Sequence, residues 1–229
     1  VRRANPNQRG PELASDGELL SVTEIFHSIQ GEGPDAGVPA TFIRLAYCNL
    51  ACSFCDTDFP MKLRLRVDAA VAIASEPGSH DLVVITGGEP MRQRIDKLVE
   101  ALLAAGKRVQ IETSGTIYQP LPWDRVSVIC SPKTPKIDKR LLPYISAYKY
   151  IVAHGLIDLK DGLPTVNPQP GDQRKPVARP HSKSVPVFVN PCDEHNEDLN
   201  RLNRQAAAYS VTHFGYRLGV QMHKIYGLE

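Results

Sequence analysis

Long hydrophobic runs are missing from this sequence: nothing approaches the roughly 18 consecutive apolar residues that a membrane-spanning helix needs. The stretch from Val1 to Glu18 is polar, with Arg2 and Arg3 but no apolar core behind them, which argues against a secretory leader and for a cytoplasmic protein. An excess of charge is missing too, since 27 Lys and Arg stand against 25 Asp and Glu. Direct nucleic-acid binding relies on clustered Lys and Arg facing phosphates. The one short basic run, Lys62, Arg64 and Arg66, reads as a solvated loop. Neither a membrane nor a nucleic acid is an expected partner. Cysteines are few and odd in number, five in 229 residues, and three of them fall between positions 48 and 55. A disulfide framework favours an even, dispersed set in an exported chain. Clustered thiols in a cytoplasmic protein point instead to metal or redox chemistry.

What is present has globular proportions, with 42% hydrophobic and 23% charged residues. Apolar, β-branched runs recur and predict strands at Val22–Ile29, Thr41–Ala46, Leu82–Thr86, Arg108–Thr113, Arg125–Cys130, Tyr148–Ala153 and Val185–Asn190, with a last one at Tyr216–Met222. Helical spacing falls between them, at Val67–Glu76, Arg94–Ala105, about Lys136–Ile145, and Glu194–Phe214 with Asp193 as N-cap. Apolar strands alternating with helices indicate a parallel sheet covered by helices, here an open or partial β/α barrel of about six such strands. Polar and glycine-rich residues gather at the strand C-terminal ends, where α/β folds place their sites. Residues 1–21 read as a polar leader and 22–229 as one domain. A proline-rich excursion at about 155–184 interrupts it, long enough to suggest a lid or interface element.

Cys48, Cys52 and Cys55 stand in the spacing C-x3-C-x2-C. Thiolates are soft ligands for zinc and iron–sulfur clusters. Structural zinc wants four protein ligands, and no neighbouring Cys or His supplies the fourth: Cys130 and Cys192 are remote and His27 precedes a strand. Three thiolates would leave one iron of a cubane open. With Phe54 before the last cysteine, the loop resembles the signature of the radical S-adenosylmethionine (SAM) enzymes. In that family a [4Fe–4S] cluster binds SAM at its open iron and cleaves it reductively to a 5′-deoxyadenosyl radical. Thr86-Gly87-Gly88-Glu89-Pro90, after a buried strand, resembles the family's element for the SAM ammonium. The resemblance further assigns SAM to Phe54, Cys55 and Asp56, to Gly115, to Ser131, Pro132 and Lys133, and to Asn190, Pro191, Cys192 and Asp193.

A narrower resemblance rests on Ser28-Ile29-Gln30-Gly31-Glu32-Gly33, on Phe42 to Leu50, on Cys55-Asp56-Thr57, on Glu112 to Thr116 and on Gln221 to Glu229. These blocks, spread over residues 22–229, are similar to those of the 7-carboxy-7-deazaguanine synthases. That family contracts 6-carboxy-5,6,7,8-tetrahydropterin to 7-carboxy-7-deazaguanine with loss of ammonia, a carbon–nitrogen lyase step on the way to queuosine. The resemblance implies a [4Fe–4S] cluster, SAM and Mg2+ as cofactors, a reductant such as flavodoxin, and a homodimer. It places Ile29, Gln30, Gly31, Arg44, Thr113, His223 and the terminal Glu229 around the substrate. Arg44 suits a carboxylate because its planar fork binds bidentately. Thr57 offers Mg2+ a hard oxygen. Ser114 departs from the Asn of several relatives, and some relatives have a longer insertion between the first two cysteines. Small radical SAM activases of glycyl-radical proteins share the cysteine spacing, and a zinc-stabilised binding module or a direct tRNA modifier stand as further alternatives.

Overall fold

The computed structural model describes residues 16–55, 57–169 and 175–228. Asp56, Glu229 and all but the last few positions of the expected leader lie outside them. The apolar runs form strands because β-branched residues suit a surface buried on both sides. The strands are β1 (Leu19–Ile29), β2 (Pro39–Leu45), β3 (Leu63–Arg66), β4 (Leu82–Gly87), β5 (Arg108–Thr113), β6 (Val126–Cys130), β7 (Ile145–Val152), β8 (Val187–Pro191) and β9 (Arg217–Leu218). They make one open sheet in the order β3-β1-β2-β4-β5-β6-β7-β8-β9. From β2 to β9 every neighbouring pair is parallel, while β1 runs antiparallel to both β2 and β3.

The sheet therefore has nine strands rather than about six. Part of the difference is the basic run: Arg64 and Arg66 lie on β3, an exposed edge strand, where charge discourages a second chain from pairing. Val67, Ala70 and Ala74 in and after α1 (Val67–Ile73) and Leu98, Val99 and Leu102 of α2 (Asp96–Ala104) pack on one sheet face, against Val83, Ile85, Val109 and Ile111. Strand periodicity sends the alternate residues to the other face. There Arg44, Glu112 and Lys149 are enclosed rather than solvated, so that face is apolar only in part.

The helix expected at Lys136–Ile145 does not form. Pro135 precedes the segment and Pro143 lies within it, and a proline within a helix removes a donor and clashes with the turn before it. Asp138 instead accepts from the Arg140 amide, and only a 3-10 turn at Leu142–Tyr144 precedes β7. The long helix α3 (Glu197–Phe214) is capped by Asn196, whose side chain accepts from the Leu199 amide, and not by Asp193. Of the last expected strand, Tyr216–Met222, only Arg217–Leu218 pairs into the sheet, as β9, and Met222 begins helix α4 (Met222–Tyr226), ended by Gly227 at φ +65°.

The excursion is tied down along its described length. Leu163 and Val177 join the core, Arg179 pairs with Asp161 at 2.7 Å, and Tyr216 donates to the Asp161 carbonyl. Gly162, at φ +70°, faces Phe214 so closely that an added Cβ would sit 2.5 Å from its ring. Gly162→Ala should cost about 1–3 kcal/mol, the usual range for overpacking. Gly155→Ala, also at positive φ (+74°) but with nothing within 4 Å, separates backbone strain from packing. Equal losses in urea melts of the two variants would show that the Phe214 contact does not hold the excursion.

Candidate active site

The C-terminal ends of β1, β2 and β4 to β8 surround a cavity of about 330 Å³. Its floor is shaped by a backbone crossing. Gly87 and Gly88 run against the strand that leads into the cysteine loop, where a Cβ on Gly87 would lie 2.2 Å from the Leu45 carbonyl and one on Gly88 2.0 Å from that of Tyr47. No other residue fits there. The Glu89 amide donates to the Tyr47 carbonyl at 3.0 Å, and Tyr47 itself takes φ +69°, a strained value that turns the chain into the loop. Glu89 is buried, and its two oxygens accept from Met91 N, Thr113 Oγ1 and both donors of Ser114. It ties the β4 turn to the β5 turn. Burial raises its carboxyl above the usual range although four donors oppose this.

Cys48, Cys52 and Cys55 all line the cavity. Burial pushes the Cys48 thiol up to about 12 and the Cys52 thiol in the same direction. Two of the three sulfurs nonetheless accept N–H groups, Cys48 from Leu50 at 3.4 Å and Cys52 from Gln169 at 3.0 Å. Thiols shielded from water yet faced by donors are suited to become thiolates on a metal, which displaces their protons. Among the described residues no three His, Cys, Asp or Glu side chains converge closely enough to grip a single ion. Phe54 and Thr57 border the same space, as do Ser131 and Lys133, whose amine is lowered by burial. Pro191, Cys192 and Asp193 close that side. Asp193 is held down at about 2, first by the His195 amide hydrogen bond, with Asn200 and Lys224 adding to it.

Gly115, Pro132 and Asn190 do not line the cavity. Gly115, at φ +76°, abuts Cys130 Sγ, so that it serves the turn beneath the site. Asn190 is buried and reaches Glu32 at 3.0 Å.

Opposite the cysteines, Ile29, Gln30, Gly31, Arg44 and Thr113 line the wall. Arg44 bonds Glu24 through Nε at 2.6 Å and sits 5.3 Å from the Phe26 ring centre, while its terminal nitrogens make no hydrogen bond among the described residues. His223 of α4 lies directly on Gly31, where a Cβ would come within 2.0 Å of Nδ1, and the Met222 amide donates to the Gly31 carbonyl. The C-terminal helix is thereby seated on the wall of the cavity.

Between the two sides lies a buried ion cluster. Lys149 of β7 meets Glu32 at 2.6 Å and Glu112 of β5 at 2.9 Å, with all three side chains at most 13% exposed. Gln30 and Gln110 donate to Glu112 as well. Burial alone would lower Lys149, but the two carboxylates outweigh it and raise the amine above its ordinary value. Burial alone would raise Glu32, and Lys149 likewise outweighs it and keeps the carboxyl below 4.5.

No family model matches the chain. Among curated proteins, it is 47% identical over 229 residues to the 7-carboxy-7-deazaguanine synthase of Rhodospirillum rubrum, covering 95% of each chain. It is 38% identical to that of Rickettsia prowazekii over 97% of this chain and 94% of the relative. The chain belongs to the 7-carboxy-7-deazaguanine synthase family. The crystal structure of QueE from Escherichia coli shares the fold, with a TM-score of 0.67 at 22% identity over 92% of this chain and 100% of the other. Membership in this family is favoured over an activase, a zinc module and a tRNA modifier. No helix among the described residues is long and apolar enough to cross a membrane.

The synthase-family motifs contain Glu32, Glu112 and Gln221 without giving them a role, and Lys149 falls outside the motifs; all four line the cavity. The signal was there: Gln110, Glu112 and Lys149 are polar residues at alternate positions of otherwise apolar strands. Lys149→Met would strand two buried carboxylates, at a cost of about 3–5 kcal/mol. It should also invert a pH dependence. In the native chain Glu32 stabilises above its unfolded value near 4.5, and that stability is lost as pH falls through its lower folded value. In the variant burial is opposed only by the smaller effects of His223 and Gln221, raises the carboxyl, and makes stability fall as pH rises through the raised value. Parallel pH profiles of the melting temperature for the two proteins would contradict the assignment.

Proposed function

We propose that this chain converts 6-carboxy-5,6,7,8-tetrahydropterin to 7-carboxy-7-deazaguanine and ammonia as a radical SAM carbon–nitrogen lyase. Residues 22–229 act as a single domain in this reading. The observation that carries it is one cavity onto which three thiols and Arg44 both open, in a chain that spans 95% of its 47% identical relative. Cys48, Cys52 and Cys55 would hold a [4Fe–4S] cluster, and their shielded, donor-faced sulfurs fit that group. When bound, the cluster supplies an electron for reductive cleavage of SAM.

The chain's own residues do the positioning. SAM belongs on the side of Phe54, Gly87, Gly88, Ser131, Lys133 and Pro191 to Asp193. Because the Glu89 carboxylate is already saturated by four donors, backbone groups of this turn are left for the ammonium. Gly115, Pro132 and Asn190 support this wall from behind. Arg44 takes the substrate carboxylate with its two terminal nitrogens. Gln30 and the Ile29 and Gly31 backbone face the pterin's donor and acceptor edge, and Thr113 and His223 close over it. Thr57 is the protein oxygen for Mg2+, with Asp56 beside it in sequence. Enclosure by Phe26, Phe42 and Phe59 keeps water from a reactive carbon centre. A small reductant such as flavodoxin and a homodimer complete the reading.

Anaerobic reconstitution tests the two halves separately. Cys48→Ala, Cys52→Ala and Cys55→Ala should each lose the iron-bound cluster, whereas Cys130→Ala and Cys192→Ala keep it. Arg44→Lys should keep the cluster and SAM binding while weakening pterin binding about ten- to hundredfold, the worth of a charge-assisted hydrogen bond. A Cys52→Ala protein with full iron content, or unchanged pterin affinity in Arg44→Lys, would overturn the corresponding half.

A further inference from the structure

The excursion at 155–169 reaches the cysteine loop at three consecutive residues. The Ser53 amide donates to the Pro168 carbonyl at 2.9 Å, the Ala51 amide donates to Gln169 Oε1 at 3.0 Å, and Gln169 Nε2 donates to Cys52 Sγ at 3.0 Å. The orientation of this amide is fixed by chemistry. An amide N–H can only donate, so Ala51 requires the oxygen, while the Lys133 carbonyl, 3.4 Å from Nε2, can only accept and requires the nitrogen. Gln169 is itself held, since its own amide donates to Oδ1 of buried Asn167, which in turn donates to the Lys175 carbonyl. The chain thus spends a stretch remote in sequence on gripping one sulfur and the backbone on either side of it.

We infer that Gln169 is a positioning residue for the cluster: its amide fixes the loop at Ala51 and withdraws electron density from the Cys52 sulfur, so that the excursion tunes the cluster's reduction potential. An N–H donor to a coordinating sulfur stabilises the more negatively charged, reduced cluster and raises the potential. The inference rests on the cluster assignment proposed above, and its test has an arm that needs no cluster.

In the apo protein, hydrogen–deuterium exchange should accelerate in the 48–55 segment of Gln169→Leu, with the core strands β4 and β5 unchanged. Gln169→Glu keeps an acceptor for Ala51 and so should restore most of this protection. In the reconstituted protein, a redox titration followed by electron paramagnetic resonance should show a lower cluster potential in both variants, because both lack the donor. Because Leu adds no charge, the Gln169→Leu potential reads the donor's loss alone, whereas the fall in Gln169→Glu also includes its added carboxylate; faster exchange with a native potential in Gln169→Leu would overturn the tuning. Native exchange rates in the Leu variant would overturn the grip. Failure of the native protein to assemble a four-iron cluster would overturn both the assignment and the tuning, while the apo exchange still decides the grip.

Discussion

The site depends on one positive charge buried at a strand end. Lys149 stands between Glu32, on the loop after β1, and Glu112 on β5, and Asn190 of β8 reaches the same Glu32. Three charges are taken out of water here, which is tolerable only because each is paired and the two carboxylates also accept from Gln30, Gln110 or Asn190. The cluster joins elements far apart in sequence, 117 residues separating Glu32 from Lys149. It holds the loop carrying Gln30 and Gly31 against the parallel sheet. α4 then sits on that loop through Gly31, so the seating of the C-terminal helix follows from the same charge.

A second constraint acts on the cysteine side. The crossing of Gly87 and Gly88 over Leu45 to Tyr47 leaves no space for a side chain, and it sets where the cysteine loop begins. Glu89 extends this rigidity to β5 through Thr113 and Ser114, while Gln169 and Pro168 hold the loop from the far side. The glycine pair therefore has a role in the fold itself, in addition to any approach of a ligand.

Much of this was legible in the sequence. The parallel α/β class, the cysteine loop beside the cavity and the glycine turn at a strand end all follow from local patterns. What escaped was set by pairing across distance. A β3 strand of Leu63 to Arg66 is too short and too charged to announce itself, and it exists because β1 offers it a partner. Helical spacing at Lys136–Ile145 misled because two prolines outweigh it. Lys149 and Glu112 are inconspicuous single residues until the sheet places them side by side. The proline-rich excursion suggested a lid or interface element, and Gln169 within it has no local motif at all.

One measurement tests the account most directly. The protein, reconstituted anaerobically with iron and sulfide and supplied with SAM, Mg2+, a reductant and 6-carboxy-5,6,7,8-tetrahydropterin, is incubated and its products are analysed by mass spectrometry. The account predicts a compound lighter than the substrate by one ammonia, with the mass of 7-carboxy-7-deazaguanine, formed over many turnovers. Intact pterin in the presence of an assembled cluster that cleaves SAM would contradict it.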